Sequence, residues 1–322
     1  MSPKSHYLKP DIAISMNSHK TAGLIAAPFT PMHADTSINL DAIASYAKYL
    51  HNDGVVGAFI CGTTGEAMSL SIEERLQIAE QWMETAPKEL RVIVHVGHTA
   101  LVDCRRLASH AQSIGADSVA CMAPFFFKPN SPECLVQWCE QVASAAPELP
   151  FYFYHIPSMT GVSMPVYEFL EIACDRIPNL VGVKFTYEDL DDFKRCLDFQ
   201  SGRYDLLFGR DERLLSSLAI GARGAVGSTY NFAAPIYNTL IAAFLAGDQS
   251  AAAEQQALAV KMIDTLIAGG PSPIATFKWL MKRVGVDCGP ARQPLQNPTS
   301  AQIYLLERNL EKMGLFEMKT EA

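Results

Sequence analysis

A chain of 322 residues with 26 Lys and Arg against 34 Asp and Glu has a formal charge of −8, which offers no basic footprint for nucleic acid or an anionic membrane surface. Hydrophobic residues make up 49% and charged residues 19%, below the roughly 25% charged that is usual for soluble domains, so global disorder is excluded and much apolar surface must be buried. The length excludes a small disulfide scaffold and fits either two medium domains or one large α/β barrel with an extension.

Residues 1–20 hold no apolar run of signal-peptide length and no Arg-rich amphipathic pattern, and are expected to form a loose arm. From residue 21 to 247, short β-branched or apolar runs alternate with longer amphipathic segments, the pattern of repeated βα units around a parallel sheet. Eight strands are expected, at 23–27, 55–60, 91–96, 117–122, 151–154, 180–184, 205–208 and 224–227. Asn39 and Ser71 stand where a short polar side chain would cap the first two helices. No Gly-x-Gly-x-x-Gly follows the first strand, which favours a closed (β/α)8 TIM barrel over an open dinucleotide-binding sheet. From 248 to 322 the strand pattern stops, and helices at 251–268, 274–284 and 301–313 predict a C-terminal helical extension. No stretch approaches the length of a membrane span, and the eight cysteines lack Cys-x-x-Cys spacing. The chain therefore reads as a cytoplasmic protein with reduced, mostly buried cysteines, and as a small-molecule enzyme before a binder of membranes or nucleic acid.

In such a barrel, reacting groups sit at the C-terminal ends of the strands. Strand two ends in Gly62-Thr63-Thr64-Gly65-Glu66, strand five in Tyr154-His155-Ile156-Pro157 and strand six in Lys184-Phe185-Thr186. Strand seven ends in Gly209-Arg210-Asp211-Glu212 and strand eight in Gly227-Ser228-Thr229-Tyr230-Asn231. Lys184 follows Leu-Val-Gly-Val, so burial would lower its pKa and free an amine to attack carbonyls; the alternative is a structural lysine paired with a rim carboxylate. Tyr154 is a phenol that could relay a proton, or an aromatic of the core. The Gly-Thr-Thr-Gly turn offers N–H groups and hydroxyls that could cradle a carboxylate. Asp211 and Glu212 could cap the next helix or hydrogen-bond a polyol. His95 and His98 read as core or rim histidines without a carboxylate partner, not as metal ligands.

Taken together, these pieces resemble the pyruvate-dependent class I aldolase family that includes dihydrodipicolinate synthase and N-acetylneuraminate lyase, from about Gly23 to about Leu295. The resemblance implies a Schiff-base lysine at Lys184, a proton-transferring tyrosine at Tyr154, a relay hydroxyl on Thr63, and a pyruvoyl carboxylate held by Thr63 and Thr64. It also implies a homotetramer built as a dimer of dimers, and no metal or organic cofactor. The synthase branch uses an arginine in the turn after strand five and a tyrosine that crosses to a neighbouring subunit. This chain has Met159 in that turn and Phe125-Phe126-Phe127 in the other segment. Tyr-His-Ile-Pro, Ala-Pro-Phe-Phe-x-Lys-Pro and Gly-Ala-Val-Gly-Ser-Thr-Tyr-Asn are instead similar to the animal-type N-acetylneuraminate lyase subgroup. There the sugar chain is bound by groups equivalent to Thr186, Gly209, Asp211, Glu212 and Ser228. The expectation is retro-aldol cleavage of sialic acid to N-acetylmannosamine and pyruvate. The alternatives are a 2-keto-3-deoxy-sugar-acid or 4-hydroxy-2-oxoglutarate aldolase, or a non-catalytic ligand-sensing barrel.

Overall fold

The computed structural model describes residues 20–315, so the expected arm, apart from Lys20, and the end of the expected extension at 316–322 lie outside the described residues. Eight parallel strands close into a barrel in sequence order: β1 (Gly23–Ala26), β2 (Gly57–Ile60), β3 (Arg91–His95), β4 (Ser118–Met122), β5 (Phe151–His155), β6 (Leu180–Phe185), β7 (Asp205–Phe208) and β8 (Gly224–Gly227). β8 returns to β1 with Ile25 opposite Val226, and β5 pairs β6 with Tyr154 opposite Lys184. Because side chains alternate along a strand, this register sends Tyr152, Tyr154, Ile25, Phe59, Ile93, Ala120, Leu207 and Val226 into the barrel interior. The larger core lies between the sheet and the helices around it. The (β/α)8 reading of the alternating pattern holds.

The helices of the barrel are α1 (Asp41–Asn52), α2 (Ile72–Thr85), α3 (Leu101–Ser113), α4 (Pro132–Ala143), α5 (Pro157–Thr160), α6 (Val166–Arg176), α7 (Leu190–Asp198), α8 (Leu214–Ala219) and α9 (Tyr230–Leu245). Ser71 caps α2 in a capping box with Glu74, as its spacing predicts. Asn39 does not cap α1. Leu40, already helical at φ −67° and ψ −30°, takes the cap position instead, so the helix starts at Asp41 without a side-chain cap, and the Asn39 N–H bonds the Pro31 carbonyl at 2.8 Å. On α2, Ile78, Ala79 and Trp82 face the sheet, and buried Arg75 donates to the carbonyls of His95 at 2.6 Å and Gly97 at 3.0 Å, which fixes the loop leaving β3.

The extension comprises α10 (Gln249–Gly269), α11 (Pro273–Leu280) and α12 (Ser300–Glu311). The expected helix 274–284 tightens after Leu280 into a 3-10 turn that ends at Gly285, φ 87°. Met262, Leu266, Leu280, Met281 and Leu306 are buried in the same core as the barrel helices, so the extension packs on the barrel as part of its wall. All eight cysteines are free; Cys61, Cys104, Cys121, Cys139, Cys196 and Cys288 are buried and Cys134 is exposed. No helix of the described residues is long and apolar enough to cross a membrane.

Candidate active site

The strand-end residues converge. Thr63, Thr64, Tyr154, Lys184, Thr186, Gly209, Asp211, Glu212 and Ser228 all line one cavity of about 520 Å³ at the C-terminal mouth of the barrel. The strands deliver them: β5 places Tyr154 next to Lys184 of β6, and the loop after β2 brings Thr63 to the phenol, with 3.3 Å between the two hydroxyls.

Lys184 is 4% exposed, and its Nζ lies 3.8 Å from the centre of the Phe59 ring and 4.2 Å from that of Tyr154. Among the described residues no carboxylate forms an ion pair with it. Burial dominates and pulls the amine down to about 7, with the Asp211 charge acting weakly in the other direction. A lysine at that value is largely neutral just above neutral pH, which is the form that attacks carbonyls. The paired structural lysine that the sequence left open is not what the fold builds.

Tyr154 is both core and site. Its ring packs edge-on against Phe59 at 5.3 Å and His95 at 5.6 Å between centroids, while its hydroxyl reaches Thr63. Desolvation raises the phenol to about 12, and the Thr63 and Thr186 hydroxyls pull the other way. It is therefore protonated at neutral pH and suited to give a proton to a forming alkoxide.

Asp211 neither caps the next helix nor points free. One carboxylate oxygen accepts from the Thr229 N–H at 2.9 Å and the Thr229 hydroxyl at 2.6 Å, while burial raises the group to about 6. A β-carbon at Gly227 would overlap that carboxylate, and one at Gly209 would overlap the Thr186 side chain, so both glycines are required by close approach. The Thr186 hydroxyl is buried with no partner at full hydrogen-bond distance, and lies near enough to the Tyr154 phenol to lower its pKa. Glu212 pairs with Arg210 at 2.7 Å, and Arg210 also reaches Glu188 at 2.6 Å.

Other strand-end residues turn inward. Asn231 donates to the carbonyls of Ala27 and Ser228, both at 2.7 Å, and accepts from Tyr46 at 2.7 Å, riveting the end of β8 to the end of β1. His95 is buried, its Nδ1 2.8 Å from the Cys61 carbonyl, and desolvation holds the ring neutral. His98, expected to lack a carboxylate partner, lies 3.6 Å from Asp103, because the first turn of α3 folds back over it. Among the described residues no group of three or more His, Cys, Asp or Glu could hold a metal ion.

The sequence reading missed one wall. Ile274 and Phe277 of α11 and Leu295 beyond it close the cavity from the extension, and Ser158 and Met159 of α5 edge it. The Pro-rich turn before Ile274 marks a helix start but carries no sign that the helix returns to the mouth.

Fold and mouth together define a (β/α)8 barrel of the enzyme type, with its reactive groups at the strand ends. The chain belongs to the dihydrodipicolinate synthetase family, which residues 20–312 match. It is 44% identical over 299 residues to an N-acetylneuraminate lyase of Rattus norvegicus, covering 92% of this chain and 93% of that one. The solved N-acetylneuraminate lyase of Proteus mirabilis superposes with a TM-score of 0.89 at 39% identity, covering 93% of this chain and all of that one (100%). A catalytic lysine mutant of the Ruminococcus gnavus sialic acid aldolase superposes with a TM-score of 0.86 at 26% identity, covering 91% and 95%.

Proposed function

We propose that this chain is an N-acetylneuraminate lyase, a carbon–carbon lyase that cleaves sialic acid reversibly to N-acetylmannosamine and pyruvate. The observation that carries the reading is the desolvated Lys184 amine, at about 7, beside the phenol of Tyr154 in a cavity walled by hydroxyls and carboxylates.

The amine attacks the ketone of the open-chain sugar acid and, with loss of water, forms an iminium, while Thr63 and Thr64 hold the adjacent carboxylate and so orient the reacting carbons. The iminium draws the electrons of the breaking carbon–carbon bond into an enamine, so the reaction calls on no metal or organic cofactor. As the bond breaks, the substrate hydroxyl passes its proton to Tyr154, which releases its own toward Thr63 and the substrate carboxylate. In the condensing direction the protonated phenol is the acid that quenches the new alkoxide. The enamine is then reprotonated at carbon and hydrolysed, which frees pyruvate and Lys184.

Thr186, Gly209, Asp211, Glu212 and Ser228 form the wall that receives the polyol. Met159, with no charge to pair a second carboxylate, supports a sugar aldehyde over an acidic one. The same reading has the enzyme cytoplasmic and homotetrameric. Phe126 and Phe127, 73% and 86% exposed on the loop after β4, are surface that a second copy would cover, which sedimentation velocity tests.

Borohydride reduction with pyruvate, followed by peptide mapping, is expected to trap one adduct, at Lys184. Its absence under conditions that trap a known class I aldolase would sink the mechanism. Turnover of unbranched 2-keto-3-deoxy acids in preference to sialic acid would reassign the aldehyde, and pyruvate binding without cleavage of any aldol would mark a sensing barrel.

A further inference from the structure

The loop that carries Thr63 and Thr64 is held in an unfavourable shape. Cys61 at its start and Glu66 at its end, neither of them glycine, sit in the left-handed region at φ 53° and 57°. The Glu66 N–H closes the turn on the Thr63 carbonyl at 3.0 Å, so the conformation of Glu66 sets the position of Thr63 directly. What holds Glu66 comes from the far end of the chain. Lys278 of α11, 212 positions away, donates to one carboxylate oxygen at 2.8 Å, and the Arg292 N–H donates to the other at 2.8 Å. Both side chains of the Lys278–Glu66 pair are fully buried (0%/0%). The neighbouring residue on α11, Phe277, faces the cavity.

A glycine would fit φ 57° at less cost, and an apolar contact would anchor α11 at least as well as a buried ion pair, whose desolvation offsets most of its attraction. Stability alone therefore explains this arrangement poorly. We propose that Glu66 and Lys278 are positioning residues: the pair clamps the helical extension to the Thr63–Thr64 turn and holds that turn in the shape that receives the carboxylate of pyruvate. The proposal deepens the lyase reading and rests on it. It makes α11 part of the keto-acid half of the site, while the polyol half stands on β6 to β8.

The test measures the pyruvate concentration that half-saturates borohydride trapping at Lys184, together with the KM for N-acetylmannosamine in the condensing direction. Glu66→Gly, which suits the backbone, and Lys278→Met are each expected to raise the half-saturating pyruvate about tenfold, since small misplacement of a binding group is costly. The adduct yield at saturation and the KM for N-acetylmannosamine should stay within about twofold, and the double variant should be no worse than either single one, as two ends of one contact require. Should those variants fail to fold, Glu66→Gln keeps the shape and one acceptor, and is expected to shift half-saturation about threefold. Unchanged pyruvate half-saturation in folded variants, or an equal rise for both substrates, overturns the clamp. A parent protein that forms no adduct at Lys184 overturns the lyase reading instead, and the clamp with it.

Discussion

Two tyrosines of β5, two residues apart on the same face, end in opposite circumstances. Toward the N-terminal end of the barrel, Tyr152 donates to Asp205 at 2.9 Å, and Asp205 also accepts the Thr21 N–H at 3.2 Å and hydroxyl at 2.9 Å, with Arg91 donating to Thr21 at 2.8 Å. Toward the C-terminal end, Tyr154 meets the Thr63 hydroxyl at 3.3 Å and lies near the buried hydroxyl of Thr186, beside an unpaired Lys184. Burial is nearly equal, 1% and 2% exposed, so desolvation does not separate the two ends. Satisfaction does: one end spends its polar groups on each other, and the other leaves them for a substrate.

The largest break in this comparison is Lys184→Met, expected to cut turnover on the order of 10⁴-fold or more and to abolish the borohydride adduct, with Tm unchanged or higher because no buried partner is orphaned. Tyr154→Phe should keep the adduct and lose roughly 10²- to 10⁴-fold in kcat, read by comparing trapping with steady-state rates. Equal loss of both would mean that the ring only shapes the site. Tyr152→Phe at the other end inverts the pattern: activity is retained while denaturant unfolding shows a loss of about 1–3 kcal/mol, the cost of removing one of three donors to a buried carboxylate. The smallest effect concerns pH. Adduct formation needs the neutral amine, so its rate should climb with pH up to about 7 and level off above it. Because the Asp211 charge holds the Lys184 pKa up against burial, Asp211→Asn should move that limb to lower pH, by under about one unit. A limb that moves upward would contradict the assigned sign.

The barrel was legible because each βα unit is local: alternating strands, a cap such as Ser71, and a turn, all within about thirty residues. Strand ends then named the mouth, since topology sends them all to one side. Asn39 does not cap because Leu40, between it and Asp41, is already helical and takes the cap position, one residue later than the polar side chain suggests. Ile274, Phe277 and the tie from Lys278 to Glu66 were missed because they join segments some 212 positions apart, where neither periodicity nor spacing carries a signal. Asp211 was found by position, but its engagement with Thr229 depends on the β7–β8 geometry.

The low basicity of Lys184 also exposes the protein to chemical attack. An amine near half-neutral at physiological pH reacts readily with small electrophiles that reach it, cyanate, formaldehyde and stray aldehydes among them. Only the fit of the cavity separates the intended ketone from these, so occupancy by pyruvate should act as a shield and slow carbamylation of this one lysine. Readiness for the reaction and vulnerability to poisoning are here the same property of one nitrogen atom.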